Sequence, residues 1–260
     1  MKKLLWTQNY RLISELQPVR CFNSSSVHHN VNNNKNHDEN KIYEDAITDA
    51  NIQKALVRLQ RFKLGTRHQI DNADNKRAAS IFIPICRDFE DKSPAILLTR
   101  RSFQLTHNKG DLCFPGGFEE GQDKNVVDAA VREMIEEIGV HRNDIKVYGQ
   151  LSPIHFRDNI HLNPIFGFID LHSGNELKLN LDEVDSVHTY TLKELCDEQN
   201  WFYTQWTHGW TLPVFKDKQK RHPKVWGMTA VLLYLTISSF MPRTFSFDSS
   251  YISKRKIEND

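Results

Sequence analysis

Apolar residues recur along the middle of the chain in patterns that predict both helices and strands. Residues 43–62 carry them at three- and four-residue steps with a single break, which predicts a lead-in helix. The runs at 79–86 and 95–98 are short, apolar and β-prone, and the charged turn between them predicts a hairpin. A second helix is predicted at about 124–138, and it stops at Gly139, a residue type that commonly follows a helix.

The rest of the pattern places these elements in one mixed domain. Further strands are predicted at residues 146–151, 163–169 and 186–191, and a final helix at about 226–240. Strands mixed with a few helices, without regular alternation, indicate an α+β or layered α/β/α domain over about residues 43–241. A single core also agrees with a length of 260 residues.

The two ends of the chain differ from this domain. The first 36 residues are basic and amphipathic, with one acid among the cations Lys2, Lys3, Arg11 and Arg20. Acid-poor leaders of this kind are typical of mitochondrial import, and an ordinary disordered amino-terminal tail is the alternative. The Asn-, Ser- and His-rich residues 23–41 are predicted to be a disordered linker, so that residues 1–40 hold presequence and linker. Residues 242–260 are predicted to form a loose tail.

Charge and cysteine content narrow the class of partner. Because 34 basic and 33 acidic residues nearly balance, neither a nucleic acid nor a bilayer surface is indicated, and a small-molecule substrate fits better. The four cysteines are widely spaced without a CxxC pair, which favours reduced thiols over a disulfide framework or a zinc site. No apolar run approaches the roughly 20 residues of a membrane span. The oligomeric state is not readable from the sequence.

Three glutamates of the second predicted helix are the first candidate chemistry. At about 100° per residue, Glu133, Glu136 and Glu137 fall within about 100° of arc, and the apolar residues cluster on the other side. Like charges at this spacing destabilise a helix by about 0.2–0.5 kcal/mol per pair, and no lysine lies one turn further on to offset them. A solvated acidic face is one interpretation. A bound divalent cation such as Mg²⁺, which takes carboxylates, waters and phosphate oxygens, is the other.

The loop before this helix favours the cation. Phe114, Pro115, Gly116 and Gly117 form a tight turn, and its glycines permit backbone conformations and close approaches closed to other residues. Alone, a Gly-Gly pair is more often a plain turn. Together with the carboxylate helix it forms a loop–helix unit in which backbone amides could face a diphosphate while the glutamates hold its counter-ions.

Residues 117–140 closely resemble the nudix box, Gly-x5-Glu-x7-Arg-Glu-U-x-Glu-Glu-x-Gly-U, where U is aliphatic. The chain departs from this box in two ways. Asp123 replaces the first glutamate, and eight rather than seven residues lie between that position and Arg132. The coenzyme A diphosphatase subgroup shares both departures. The upstream signature of that subgroup, LLTxRSxxLxxHxGxxxFPGG, aligns with residues 97–117, except that Asn108 replaces its histidine. Segments at 183–185, 212–215 and 225–230 resemble the mitochondrial member of the subgroup.

The resemblance implies a nudix fold, a mixed β-sheet between helices, with the box forming a loop–helix–loop at the active site. It implies that Glu133 and Glu137 ligate Mg²⁺ or Mn²⁺, with Glu136 as a third ligand or as the base that activates water. Arg132 would orient the glutamates through charge-assisted hydrogen bonds, and a surface ion pair is the alternative for this residue.

Residues outside the box complete the implied site. Glu183, on the loop before a predicted strand, would act as a base or a ligand, with an ordinary exposed acid as the alternative. A guanidinium matches phosphate oxygens in bidentate fashion, so the two arginines beside the signature serine are candidates to bind phosphate. The implied substrate-binding set is Arg100, Arg101, Ser102, Gly116 and Gly117.

The implied reaction is metal-dependent hydrolysis of the diphosphate of coenzyme A or acyl-coenzyme A, which yields 3′,5′-ADP and 4′-phosphopantetheine or its acyl form. The box fixes the reaction and leaves the substrate to the surrounding loops, so NADH or ADP-ribose hydrolysis is the first alternative. A non-catalytic nucleotide-binding module that kept the fold is the second. The three intact glutamates argue against that module.

Overall fold

The computed structural model describes residues 35–62, 77–155, 160–174, 176–205, 211–219 and 221–245. Residues 1–34 and 246–260 lie outside this set, so the interpretations placed on the leader and on most of the tail stay predictions. The described chain forms a mixed β-sheet with helices packed on both faces. The prediction of an α+β fold with α/β/α layers is confirmed.

An eight-stranded sheet forms the centre of the domain. Its strands are β1 (Arg77–Arg87), β2 (Pro94–Arg101), β3 (Leu112–Cys113), β4 (Gly116–Phe118), β5 (Ile145–Gln150), β6 (Ile154–His155), β7 (Ile160–Ile169) and β8 (Val184–Thr191). The main order is β3-β2-β1-β7-β5, with β4 paired to β1, β6 to β7 and β8 to β2. Strands β1 and β7 are parallel, and the other described pairings are antiparallel.

Five α-helices and a small second sheet complete the described chain. The helices are α1 (Lys35–Ala46), α2 (Asp49–Leu59), α3 (Val126–Ile138), α4 (Leu192–Cys196) and α5 (Gly227–Phe240). The second sheet is an antiparallel pair of β9 (Trp201–Gln205) and β10 (Thr211–Phe215). Among the described residues, no helix is long and apolar enough to cross a membrane.

Alternation along β1 divides the apolar core in two, because successive side chains of a strand point to opposite faces of the sheet. Ile83 and Ile85 join the cluster that contains α2 and α5. Phe82 and Cys86 join the cluster that contains the apolar side of α3. Helices α3 and α5 therefore lie on opposite faces of one sheet.

The long predicted elements are present, and the amino-terminal helix differs from its prediction. The lead-in helix predicted over residues 43–62 is two helices, α1 and α2, which part at the break in its apolar pattern. The disordered linker predicted for residues 23–41 is wrong from Lys35 onward, because α1 begins there. This polar helix is held at its last turns, where Ala46 is buried and Glu44 forms an ion pair with Arg87 at 2.9 Å.

The elements that the sequence pattern did not predict are short. Strands β3, β4 and β6 have two or three residues each, and α4 has five. Periodicity needs more residues than these to appear. Hairpin β9–β10 was also missed, and its strands carry aromatic residues that pack into the core, Trp201 and Phe215. The cysteines among the described residues, Cys86, Cys113 and Cys196, are free, in agreement with the predicted lack of disulfides.

Candidate active site

Helix α3 places the box glutamates, and both of its ends are fixed by local interactions. The Asn125 side chain accepts hydrogen bonds from the backbone N–H groups of Val127 and Asp128, which satisfies two of the amides left free at a helix start. Gly139 ends the helix with φ of 68°, a left-handed conformation that favours glycine. The apolar side of α3, including Met134, is buried against the sheet, so the glutamates face the opposite way.

Arg132 links the loop before α3 to two of the glutamates. Its Nε and Nη2 donate to both carboxylate oxygens of Asp123 at 3.0 Å, and Nη2 also donates to the Phe118 carbonyl at 3.1 Å. Its Nη1 donates to Glu133 at 3.0 Å and to Glu136 at 2.8 Å. These are charge-assisted contacts of the kind predicted for Arg132, and they hold the loop and helix in one arrangement.

Asp123 shows how the departures from the nudix box are accommodated. The shorter aspartate, followed by one additional residue, still reaches Arg132 through both oxygens. Asp123 also accepts a hydrogen bond from the backbone N–H of Glu120 at 2.8 Å. The Arg132 guanidinium is the main cause of the lowered pKa of this carboxyl group. The loop before α3 is therefore tied to the helix by an ion pair despite the two departures.

Glu133 depends on the second glycine of the loop. A Cβ atom at Gly117 would lie 2.6 Å from Cδ of Glu133, which is closer than real Cβ contacts permit. The carboxylate thus packs directly over the glycine backbone. Partial burial raises the pKa of Glu133, and the neighbouring Arg132 opposes that rise.

Glu137 is the most deeply buried of the box glutamates, with 4% of its surface exposed. The backbone N–H of Gly116 donates to its carboxylate, whereas Oε2 is buried without a hydrogen-bond partner. Burial raises the pKa of Glu137 to about 8, and the nearby Glu133 adds to the rise. A buried carboxylate oxygen without a partner is costly unless a further ligand satisfies it.

Glu183 reaches α3 through the loop that precedes β8. The backbone N–H groups of Lys178 and Asn180 donate to the carbonyls of Ile138 and Glu137, so the loop runs over the end of the helix. The backbone N–H of Glu183 then donates to the Asn180 carbonyl at 3.0 Å. Sequence spacing alone could not show this, because Glu183 lies 46 positions after Glu137 in the chain.

Ser102 holds the Glu183 loop from the other side. Its hydroxyl donates to the Leu181 carbonyl at 2.9 Å, and its backbone N–H donates to the Glu183 carbonyl at 2.8 Å. The side chain is buried. The structure therefore places Ser102, predicted to bind substrate, in a contact that positions Glu183.

Three carboxylates come together as a candidate metal site: Glu133, Glu137 and Glu183, each with one oxygen within 4.8 Å of the others. Glu136, predicted as a third ligand or base, is outside this group, and its half-exposed side chain pairs with Arg132. Oxygen ligands of this charge suit Mg²⁺ or Mn²⁺. The unpartnered oxygen of Glu137 supplies an independent reason for a cation to fit here.

The two adjacent arginines of β2 have different surroundings. Arg100 donates from Nε to the Gly110 carbonyl at 3.3 Å, and its guanidinium stacks over Phe103 at 4.7 Å. Arg101 instead has a buried Nε without a partner, and it is close enough to Glu137 to act on the pKa of that residue. Of the two candidates for binding phosphate, Arg101 is thus the one whose charge acts on the carboxylate cluster.

A cleft of about 120 Å³ adjoins this cluster, and its lining includes Gly116 and Arg101, the two residues that lower the pKa of Glu137. Gly116 has φ of 149°, and a Cβ atom there would lie 2.6 Å from Cα of Ile81. Only glycine therefore allows the start of β4 to approach β1 at this point. Asn108, the residue that replaces the signature histidine, lines the cleft with φ of 54°, a conformation that asparagine tolerates better than most residues.

The sequence pattern missed two parts of the site. Asp111 accepts a hydrogen bond from the Trp226 indole N–H at 3.1 Å and so joins the loop before β3 to the start of α5. The first turns of α5 then line the cleft. No spacing rule connects these segments, although Trp226 lies in one of the stretches that resemble the coenzyme A diphosphatases.

The comparison with known families agrees with this geometry. A model of the NUDIX domain matches residues 76–209, slightly more than half of the 260 residues. The chain belongs to the nudix family. Together with the carboxylate cluster, this membership makes it a hydrolase of the nudix pyrophosphatase type.

Individual nudix relatives are also similar over most of the domain. A mouse protein described as mitochondrial coenzyme A diphosphatase NUDT8 is 37% identical over 173 residues, which cover 64% of this chain and 79% of that protein. Its human counterpart is 34% identical, with 65% and 71% covered. Nudix hydrolase 3 of Caenorhabditis elegans is 30% identical, with 69% and 80% covered.

Proposed function

We propose that this nudix hydrolase cleaves the diphosphate of coenzyme A and acyl-coenzyme A to 3′,5′-ADP and 4′-phosphopantetheine or its acyl form. The observation that carries the proposal is the pair of buried, unpartnered groups, Oε2 of Glu137 and Nε of Arg101, near the Gly116 backbone. One accepts a cation and the other donates to an anion, so together they suit a metal-bound diphosphate. The similarity to coenzyme A diphosphatases supports the choice of substrate.

Glu133, Glu137 and Glu183 would hold the cation, which we take to be Mg²⁺ or Mn²⁺. When bound, it would neutralise phosphate oxygens and acidify water at the site. Arg132 keeps Glu133 oriented, and Arg101 donates to the diphosphate. Gly116 allows the close approach to β1, and Gly117 leaves room for the Glu133 carboxylate. Glu183, the exposed member of the cluster, is also the proposed base.

Product analysis tests the reaction and the substrate together. The purified protein is incubated with coenzyme A, NADH or ADP-ribose in Mg²⁺ or Mn²⁺, and the products are identified by mass spectrometry. We expect the highest kcat/KM for coenzyme A, with 3′,5′-ADP as one product and no turnover in EDTA. A clear preference for NADH or ADP-ribose would contradict the proposed substrate while leaving the nudix assignment in place.

We further propose a mitochondrial location and, apart from the linker corrected above, the predicted domain limits, with the catalytic domain at about residues 43–241. The basic leader and the similarity to proteins described as mitochondrial support the location. Fusing residues 1–40 to a fluorescent protein tests it, and a mitochondrial signal is expected. A diffuse signal from that fusion, with the full-length protein also outside mitochondria, would contradict it.

A further inference from the structure

The cleft beside the carboxylate cluster is built partly by a helix outside the family match. One wall comes from β1 and from the loop and strand that carry Asp111 and Leu112. The other wall comes from the first turns of α5, through Gly227, Met228, Thr229 and Leu232. The match to the family model ends at residue 209, before α5 begins. The α5 wall therefore lies outside the residues that match the family model.

The charges of the residues that line the cleft indicate which half of coenzyme A it can bind. Of the described residues that line it, Arg101 is the one cation and Asp111 the one acid. Cys113 also lines the cleft, and burial raises the pKa of its thiol to about 11, so the thiol is neutral near pH 7. With Arg101 engaged by the diphosphate, a 3′-phosphorylated ribose in the cleft would face Asp111 without a second cation.

The remaining lining suits a slender, uncharged chain. Ile81, Leu162 and Leu232 offer aliphatic surface, and the Trp226 indole is held in place by its hydrogen bond to Asp111. The Asn108 amide and the Thr229 hydroxyl provide isolated polar groups among them. A mostly apolar pocket with a few polar groups is the usual site for a small molecule that combines methylene groups and amides.

We infer that the cleft binds the pantetheine arm of the substrate, with the diphosphate at Arg101 and Gly116 and the 3′,5′-ADP half outside the cleft. This inference rests on the proposed coenzyme A diphosphatase function. It makes α5 the element that recognises the arm, and Thr229, half-buried in the cleft wall, a specificity-determining residue.

The test uses the two reaction products as separate ligands of the full chain. Binding of 4′-phosphopantetheine and of 3′,5′-ADP is measured by calorimetry in Mg²⁺ for the wild-type protein and for Thr229→Phe. The larger side chain occupies space that the arm would use, so we expect the affinity for 4′-phosphopantetheine to fall by about tenfold or more. The affinity for 3′,5′-ADP should change by less than about twofold, because that half lies outside the cleft.

Ser238→Phe is the matched control, since Ser238 is a half-buried residue of the same helix that does not line the cleft. Thr229→Leu is a smaller change to use if Thr229→Phe lowers the unfolding temperature. Selective loss of 3′,5′-ADP binding, or unchanged binding of both products, would overturn the inference. So would wild-type protein that binds no 4′-phosphopantetheine. Failure of the proposed function is seen separately, as wild-type protein that does not hydrolyse coenzyme A.

Discussion

Helices α3 and α5 pack on opposite faces of one sheet, and they differ in what they expose. Helix α3 has an apolar side in the core and a carboxylate side at the candidate metal site. Nearly every side chain of α5 is buried, because the sheet, α2 and β10 surround it. A reaction that handles phosphate needs charged groups, which a helix can keep only on a side that is not packed into apolar core. Recognition of an uncharged arm needs apolar surface, which α5 supplies where its first turns meet a cleft.

The largest effect is expected from removing the buried charge of α3. Glu137→Gln keeps the shape of the side chain but weakens its hold on a cation, so kcat should fall by about a thousandfold. Glu136→Gln is the matched control on the same helix, because Glu136 pairs with Arg132 outside the cluster, and its effect should stay below about tenfold. Steady-state kinetics with coenzyme A measures both. Equal losses in the two variants would show that the three-carboxylate cluster is not the metal site.

A second variant tests whether the cluster extends beyond α3. Glu183→Gln removes the carboxylate contributed by the loop before β8, and kcat should fall by about a hundredfold, at the lower end of what a positioned base contributes. Asp182→Asn changes the preceding exposed residue of the same loop and should have little effect. The pH–rate profile separates the roles, since loss of a base alters its acidic limb. Full activity in Glu183→Gln would restrict the site to the helix.

Arg101 lines the cleft beside α5 and is also close to Glu137 of the carboxylate cluster. Arg101→Lys removes Nε, the buried donor without a partner, and we expect KM for coenzyme A to rise by about tenfold with a smaller change in kcat. Arg100→Lys is the comparison, because Nε of Arg100 already donates to the Gly110 carbonyl. Initial rates over a range of substrate concentration distinguish the two. A larger KM effect at Arg100 would reverse the assignment of the phosphate-binding arginine.

A separate effect concerns the stability of the metal-free protein rather than its activity. Burial raises the pKa of Glu137 to about 8, so the metal-free protein must bury a charge as pH rises. The sign follows from linkage: stability is fully present below pH 4.5, the ordinary pKa, and is lost progressively up to about pH 8. The loss from this group is on the order of a few kcal/mol. Urea denaturation in EDTA at pH 5 and pH 8 should show a smaller pH dependence for Glu137→Gln, and equal dependence in both proteins would contradict it.

Glu136 and Glu137 show how far the helical pattern could define the site. The periodicity of α3 placed both on the polar side of the helix, and the resemblance implied a metal role for each. Their surroundings differ nonetheless: Glu137 meets Gly116 and Glu183, whereas Glu136 meets Arg132. That difference depends on where the loop before α3 and the loop before β8 lie. The periodicity of one helix cannot predict the position of either loop.

By itself, the sequence determined the long strands and helices and the carboxylate side of α3, because each depends on residues close together in the chain. The tight turn predicted at Gly116 and Gly117 is wrong, because both glycines belong to strand β4, which pairs with β1. The tertiary structure decided that Glu183 joins Glu133 and Glu137, that Ser102 supports its loop, and that α5 lines the cleft. Each of these contacts joins segments far apart in sequence. Which side chains meet there is fixed by the packing of both helical layers on the sheet, and a local pattern of residues carries no information about that packing.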